Sequence, residues 1–382
     1  MQRAAWFMIQ ISSVSCHLYR YELQTPVQTS FGLMPARMML LVEVTDKSGL
    51  SGLGEVWCNY PAPGGAYRAQ LIDQILSPLL LKQAFDTPQA VFQHLTDQTR
   101  ILALQTGEPG PLSQAIAGID CAVHDLAARK QGLPLWRYLG GEQGEVKVYA
   151  SGINPAGALE TVKSAHAQGF RSFKLKVGFT QETDLENCES IAKFLSGSDR
   201  LMVDANQAWS VDMAMLRATQ FKPFDLGWLE EPLSADRPLS EWKKLADHAS
   251  MPLAVGENLA SAEAFSKACK SGCFGVIQPD LAKWGGLSGC LPVARQIIEA
   301  GLSYCPHYLG GGIGLIASAH LLSASHGRDM LEVDINHNPL RSLLTDEMLS
   351  QKPGSFCLPD LPGLGEDVET GLSLLDNFKI NY

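Results

Sequence analysis

The sequence predicts an α/β protein: a closed (β/α) barrel joined to a smaller α+β module. Three observations predict it. Short apolar runs recur through the second half of the chain, and each ends in a charged or polar residue. The first, 173–177, carries Lys174 and Lys176; later runs end at Asp204, Glu230, Glu257, Asp280, His307 and Glu332. From Lys176 onward the steps between these ends are 28, 26, 27, 23, 27 and 25 residues, the length of a strand plus a helix. Helical patterns fill the intervals. Buried-strand patterns alternating with helical ones argue for βα units and a parallel sheet, and the near-equal repetition argues for a barrel rather than an open sheet.

Each element can be justified in order. Residues 11–19, 38–44 and 54–57 alternate apolar and polar, and Asp46-Lys47-Ser48-Gly49 supplies a hairpin-type turn, so they read as a small antiparallel meander. The stretches 23–37 and 57–65, rich in turn residues, read as loops long enough to act as lids. Helical patterns follow over 67–81, 88–104 and 111–130, the last with Ile116, Ile119, Val123 and Leu126 on one packing face. Gly140-Gly141-Glu142 ends this first module, residues 1–140. The barrel occupies 141–340. Its first strand is read at 146–151, a helix runs up to Gln168, and further helices lie near 181–196, 211–220, 238–248, 261–270, 287–299 and 313–325. Beyond Leu340 the period is lost and 352–365 is rich in Pro and Gly, so the C-terminal segment 341–382 is expected to return to the meander.

At 382 residues the chain accommodates a TIM-type barrel of typical size plus one further module. The formal charge of −10 and pI near 5.4 disfavour nucleic acid and anionic membrane surfaces as partners. Nine cysteines without a CxxC pair point to reduced thiols. The N-terminus is too weakly apolar for a signal peptide and no stretch is long enough to span a bilayer, so the expected location is the cytoplasm and no membrane partner is expected.

In a closed parallel barrel the C-terminal strand ends point into one mouth, where active sites sit. Asp204, Glu230 and Glu257 come from three consecutive strand ends and offer hard oxygen donors only. That suits Mg²⁺ held by a few carboxylates with positions left for substrate and water. Lys174 and Lys176 share one face of their strand, and crowding by a second cation is expected to pull the Lys176 ammonium toward a usable general base. Asp280 can hold the His307 imidazole in one tautomer. A carboxylate substrate on the metal has an acidified α-proton, because the developing enediolate charge falls on oxygens already held by cations. Glu332, if protonated, could donate a hydrogen bond to it. Lys176 and His307 would reach the α-carbon from opposite sides.

Gly312-Ile313-Gly314 with the residues around it offers two further readings besides a tight turn. A dinucleotide fingerprint lacks the surrounding Rossmann strand order. Alternatively, amides of 309–314 at a helix N-terminus could hold an anionic substrate group.

Lys174-Leu175-Lys176, Asp204-Ala205-Asn206, Glu230-Glu231-Pro232, Gly256-Glu257-Asn258, Gln278-Pro279-Asp280, His307 and Glu332 together resemble the enolase superfamily, in its mandelate racemase subgroup. The resemblance covers essentially the whole chain. It implies a modified TIM barrel with an α+β capping domain, Mg²⁺ ligands Asp204, Glu230 and Glu257, bases Lys176 and His307 with Lys174 beside them, Asp280 as partner of His307, and Glu332 as acid toward the enediolate. It also implies a homo-oligomer and a small carboxylate substrate. Asn206 and the lid residues Phe31, Arg37 and Trp57 are expected to touch that substrate. Muconate-lactonizing relatives carry a catalytic Lys where this chain has Asp280, and Lys283 beyond it is read as structural. The chain end, with His337-Asn338-Pro339-Leu340-Arg341 and 358–365, looks like acid-sugar dehydratases and cycloisomerases. That function is the leading expectation, a racemase or epimerase of a 2-hydroxy or amino acid derivative the alternative, and a non-catalytic metal-binding scaffold the remote one.

Overall fold

The computed structural model describes residues 8–29, 32–327, 329–365 and 367–382. Three strands open the chain: β1 (Ile11–Thr29), β2 (Gly32–Asp46) and β3 (Ser51–Val56). Helices α1 (Gly64–Leu71), α2 (Ser77–Leu80), α3 (Pro88–Thr106), α4 (Pro109–Lys130) and α5 (Leu135–Tyr138) follow, with one turn of π-helix between α1 and α2. The turn at 46–49 forms as read, with Asp46 Oδ1 accepting from the Ser48 amide at 2.8 Å. The expected first lid loop, however, is mostly strand. β1 pairs with β2 out to Thr29 opposite Gly32, and a register shift between Glu22 and Val27 accommodates the Thr-Pro pair. A bulge of this kind is where a strand tolerates proline.

The barrel consists of eight parallel strands alternating with helices. They are β4 (Glu145–Ile153), α6 (Ala158–Ala167), β5 (Ser172–Lys176), α7 (Gln181–Phe194), β6 (Arg200–Asp204), α8 (Val211–Phe221), β7 (Leu229–Glu230), α9 (Leu239–His248), β8 (Leu253–Val255), α10 (Ala262–Lys270), β9 (Val276–Ile277), α11 (Gly286–Glu299), β10 (Ser303–Tyr304), α12 (Gly312–Ala324) and β11 (Met330–Asp334). Hydrogen-bonded order runs β10-β9-β8-β7-β6-β5-β4-β11. Side chains bridge the β10 to β11 gap: the Tyr304 amide donates to Asp329 Oδ2 at 2.8 Å and the Tyr308 amide to Glu332 Oε2 at 3.2 Å.

Alternation along β5 shows how the sequence divides the barrel into two faces. Phe173 and Leu175, fully buried, join the large core shared with the surrounding helices, while Tyr149, Met202, Trp228, Ala254, Val276 and Cys305 form a separate small cluster. Thr180, Ser210 and Ser261 cap α7, α8 and α10 by accepting a backbone N–H three residues on.

The C-terminal segment is more ordered than its composition suggests. Helix α13 (Pro339–Ser350) and strand β12 (Ser355–Cys357) come first, with β12 antiparallel to β4. After α14 (Val368–Leu374), β13 (Lys379–Ile380) pairs with β1, giving the cap a four-stranded sheet ordered β13-β1-β2-β3. Among the described residues no helix is long and apolar enough to cross a membrane.

Candidate active site at the barrel mouth

Parallel register sets Lys176 opposite Asp204 and Asp204 opposite Glu230, so the ends of β5, β6 and β7 place their side chains side by side. Glu257, Asp280 and His307 lie just past the ends of β8, β9 and β10, and Glu332 lies within β11. Lys174, Lys176, Asp204, Glu257, His307 and Glu332 line one cavity. Asn206 and Trp57 line it too, Trp57 reaching in from the cap.

Charges in this mouth are paired throughout. Lys174 Nζ lies 2.6 Å from Glu230 Oε1 and 2.8 Å from Glu332 Oε1. His307 Nδ1 meets Asp280 Oδ2 at 2.7 Å and Nε2 meets Glu257 Oε2 at 2.5 Å. Lys176 Nζ donates to Asn206 Oδ1 at 2.8 Å and stands 3.9 Å from Asp204. Asn206 in turn donates its amide and its side-chain Nδ2 to the two oxygens of Asp204, at 2.8 and 2.9 Å. It does so with φ +43°, in the left-handed region that Asn tolerates better than most residues.

Burial works against the ammonium of Lys174, but Glu230 and Glu332 outweigh it and hold the group well above its usual range. The same opposition acts on His307: burial disfavours the cation, while Glu257, Glu332 and Asp280 hold it well above 6.5. Burial raises Glu230 to about 7 in spite of Lys174. Glu332 is also pushed up by burial, yet Lys174, His307 and Ser151 bring it below its ordinary value. Its oxygens accept from Ser151 Oγ and the Tyr308 amide.

Three further residues belong to this mouth. Trp228 Nε1 and Gln278 Nε2 donate to Glu230 Oε2 at 3.0 and 2.7 Å, fixing that carboxylate from the side away from Lys174. Lys283, read as structural, faces the cavity: its Nζ is 3.3 Å from Asn258 Oδ1, 3.7 Å from Glu257 Oε1 and 5.2 Å from the centre of the Trp57 ring. Its position past a strand end, beside two glycines, was the available signal.

Two further expectations are not met. Arg37 does not line the cavity; it is 2% exposed and donates to Asp334 Oδ2 at 2.7 Å, because the barrel presents a buried carboxylate beneath β2. The helix N-terminus at 311–314 does not await a substrate anion either. Glu55 from the cap already accepts from the Gly311 and Gly314 amides. Phe31 lies outside the described residues.

Among the described residues no three metal-ligating side chains yet stand as a ready metal-holding group. The donor chemistry nevertheless fits a hard divalent cation. Asp204 and Glu230, both buried, and Glu257, partly buried, are oxygen donors from consecutive strand ends, and each now has a protein cation beside it, Lys176, Lys174 and His307 with Lys283 respectively. Buried carboxylates of this density demand positive charge.

Comparison with known proteins agrees with this architecture. The mandelate racemase/muconate lactonizing enzyme N-terminal domain profile matches residues 13–140, and the enolase C-terminal domain-like profile matches 158–371. The chain therefore belongs to the mandelate racemase/muconate lactonizing enzyme family of the enolase superfamily, a family of lyases and isomerases. It is 27% identical to D-galactarolactone cycloisomerase of Agrobacterium fabrum, over 97% of this chain and 99% of that protein. It is 32% identical to 3,6-anhydro-alpha-L-galactonate cycloisomerase of Streptomyces coelicolor, over 93% and 96%. The crystal structure of a mandelate racemase/muconate lactonizing enzyme from Bordetella bronchiseptica is 49% identical, covers 96% of this chain and 100% of its own, and superposes with a TM-score of 0.90. A racemase from Streptomyces coelicolor with bound magnesium, 26% identical over 97% of this chain and 100% of its own, has a TM-score of 0.84.

Proposed function

We propose that this protein is a Mg²⁺-dependent lyase or isomerase that removes the proton α to the carboxylate of an acid sugar or a related small hydroxy acid. The observation that carries this reading is the pairing of two basic side chains, Lys176 and His307, from β5 and the end of β10, around one cavity that Asp204, Glu257 and Glu332 also line. Asp204, Glu230 and Glu257 would hold Mg²⁺, which when bound supplies Lewis-acid polarisation of the substrate carboxylate. Glu257 would have to leave His307 Nε2 to do so, and that same movement frees the imidazole for substrate.

The rest is the work of this chain's own groups. Lys176, once deprotonated, takes the α-proton from one face; Asn206 holds its Nζ in place. His307 works from the other face, with Asp280 fixing Nδ1 and leaving Nε2 as the reactive nitrogen. Lys174 places positive charge beside the region where the substrate carboxylate gains negative charge. A protonated base on the opposite face can then return a proton or assist departure of a β-oxygen. Dehydration or cycloisomerisation uses the second course, and the two cycloisomerase relatives support it. Racemisation or epimerisation uses the first, and the presence of both bases keeps it as a second reading. Incubating the Mg²⁺-loaded protein with a library of acid sugars and hydroxy acids in D₂O, followed by NMR, tests the proposal. Deuterium at the α-carbon with loss of a β-hydroxyl or ring closure is expected; no turnover and no exchange with any member would overturn it.

A further inference from the structure

The chemistry above makes no use of Glu55, yet this cap residue is buried against the barrel segment that carries His307. It sits near the end of β3, is 3% exposed, and reaches across the domain boundary to the segment that follows β10. Its carboxylate accepts from the Gly311 amide at 2.5 Å and the Gly314 amide at 2.8 Å, and from the Tyr308 hydroxyl. A Cβ on Gly311 would fall 2.0 Å from Met39 Sδ and 2.9 Å from Glu55 Oε1, so the close packing of the cap here depends on glycine. Tyr308 is the neighbour of His307. The two ring nitrogens of His307 are held from the β8 and β9 side, by Glu257 and Asp280, whereas the backbone that carries it is met from the cap side.

We propose that Glu55 is a positioning residue lent by the cap to the barrel: it sets the 307–314 segment, and through it the His307 imidazole. The assignment of His307 as a base rests on the function proposed above; the anchoring of the segment does not. Cap and barrel are thereby joined one residue beyond His307, at Tyr308, and again at Gly311 and Gly314. Asn59 from the cap adds a bond to the Leu309 carbonyl, and Asn338 of the barrel donates to the Gly310 carbonyl at 3.0 Å. All thirteen residues of α12 behind the segment are buried, so the anchor works against a firm base.

Glu55→Gln keeps the shape but offers one acceptor oxygen and turns an N–H₂ toward buried donors. Tyr308→Phe removes one donor and leaves both amide bonds. With the full-length variants, amide hydrogen exchange over 306–314 is expected to rise about tenfold or more in Glu55→Gln and less in Tyr308→Phe. Exchange over 172–178, around Lys176, should stay within roughly twofold of wild type. With the substrate found in the D₂O screen, deuterium delivery to the His307 face should fall on the order of 10²-fold in Glu55→Gln, as small misplacements of catalytic groups do, while delivery to the Lys176 face persists. Unchanged segment exchange in both variants, or an equal rise across the barrel, overturns the proposal. So does a loosened segment with both faces still labelled as in wild type. If Glu55→Gln does not fold, Tyr308→Phe decides by the same two readouts. A His307→Asn control that leaves labelling intact sinks the base assignment instead, and the segment exchange still tests the anchor.

Discussion

Arg37 Nη2 donates to Asp334 Oδ2 at 2.7 Å across 297 residues of chain, joining the cap to the last strand of the barrel. Both partners are buried, at 2% and 3% exposure, and Arg341 Nη1 approaches the same oxygen at 3.3 Å. Removing one partner of a buried pair costs ~3–5 kcal/mol because the other is left uncompensated. With Arg341 still present, Arg37→Met should lose stability near the lower end of that range, about 3 kcal/mol. Burial pushes Asp334 up, but Arg37 and Arg341 outweigh it and hold the carboxyl below its ordinary value. A depressed carboxyl contributes stability that is complete above its unfolded value of about 3.9 and is lost as pH falls through the folded one. Denaturant midpoints of wild type and variant should therefore differ by a constant amount near neutrality and converge in acid below about pH 4. A gap that widens on acidification would count against the pair.

Most of the barrel was legible because each βα unit carries its own signal: an apolar run, a polar end, a helix of matching length. The helices read near 211–220 and 261–270 differ by a residue or so from α8 and α10. That charged residues gather at the strand ends in one mouth was legible for the same reason. What escaped depended on partners far away in sequence. Arg37 looked like a lid residue because Asp334 could not be seen beneath it. Glu55 looked like one polar residue in a strand, its glycine partners being 256 and 259 residues away. Pairing of β1 with β2 beyond Glu22 comes from cross-strand bonding, which composition rich in Thr and Pro does not announce.

The proposed Mg²⁺ site makes turnover metal-dependent. EDTA treatment should abolish turnover and Mg²⁺ should restore it, with metal content followed by elemental analysis. Asp204→Asn should lower Mg²⁺ affinity, measured by calorimetry, by more than the ~10–100-fold typical of outer partners. Glu231→Gln should have a smaller effect, since Glu231 bonds Asn258 Nδ2 at 2.7 Å and stands behind the ligand set. Undiminished turnover in metal-free protein would remove the basis for Mg²⁺.

Trp57 lines the cavity from the cap, together with Val27, Asn59 and Tyr60. Its ring lies beside Lys283 and, on the cap side, the Arg68 guanidinium, 5.5 Å from the ring centre. A cation over an aromatic face is worth ~0.5–2 kcal/mol depending on desolvation, so Trp57→Leu should change KM by roughly 2- to 30-fold and reorder the preferred acid sugars. Exchange of the α-proton should survive. Arg37→Met, by contrast, should alter stability and leave the order of preference in place. An identical substrate ranking in wild type and Trp57→Leu would move specificity to the barrel loops.

Division of labour between Lys176 and His307 is the most exacting consequence of their placement. They stand at the ends of the second and seventh strands of one barrel, and on the proposed function a substrate carboxylate held between them would present one face of its α-carbon to each. Lys176→Ala should abolish α-proton exchange for one configuration and His307→Asn for the other. A racemase or epimerase would then lose net turnover in each variant, by several orders of magnitude, yet each variant would still wash deuterium into the enantiomer that its remaining base can reach. In a dehydratase, one substitution should stop proton abstraction, while the other should stop departure of the hydroxyl or protonation of the enol product. Asp280→Asn should resemble a milder His307→Asn, because it removes the carboxylate that fixes Nδ1 and keeps the imidazole; a loss on the order of 10–10²-fold is the range for a group acting through another. The measurement is NMR of the α-hydrogen in D₂O, substrate by substrate, with each purified variant loaded with Mg²⁺. Equal and complete loss of exchange in both single variants, with every accepted substrate, would show that one of the two residues supplies only charge.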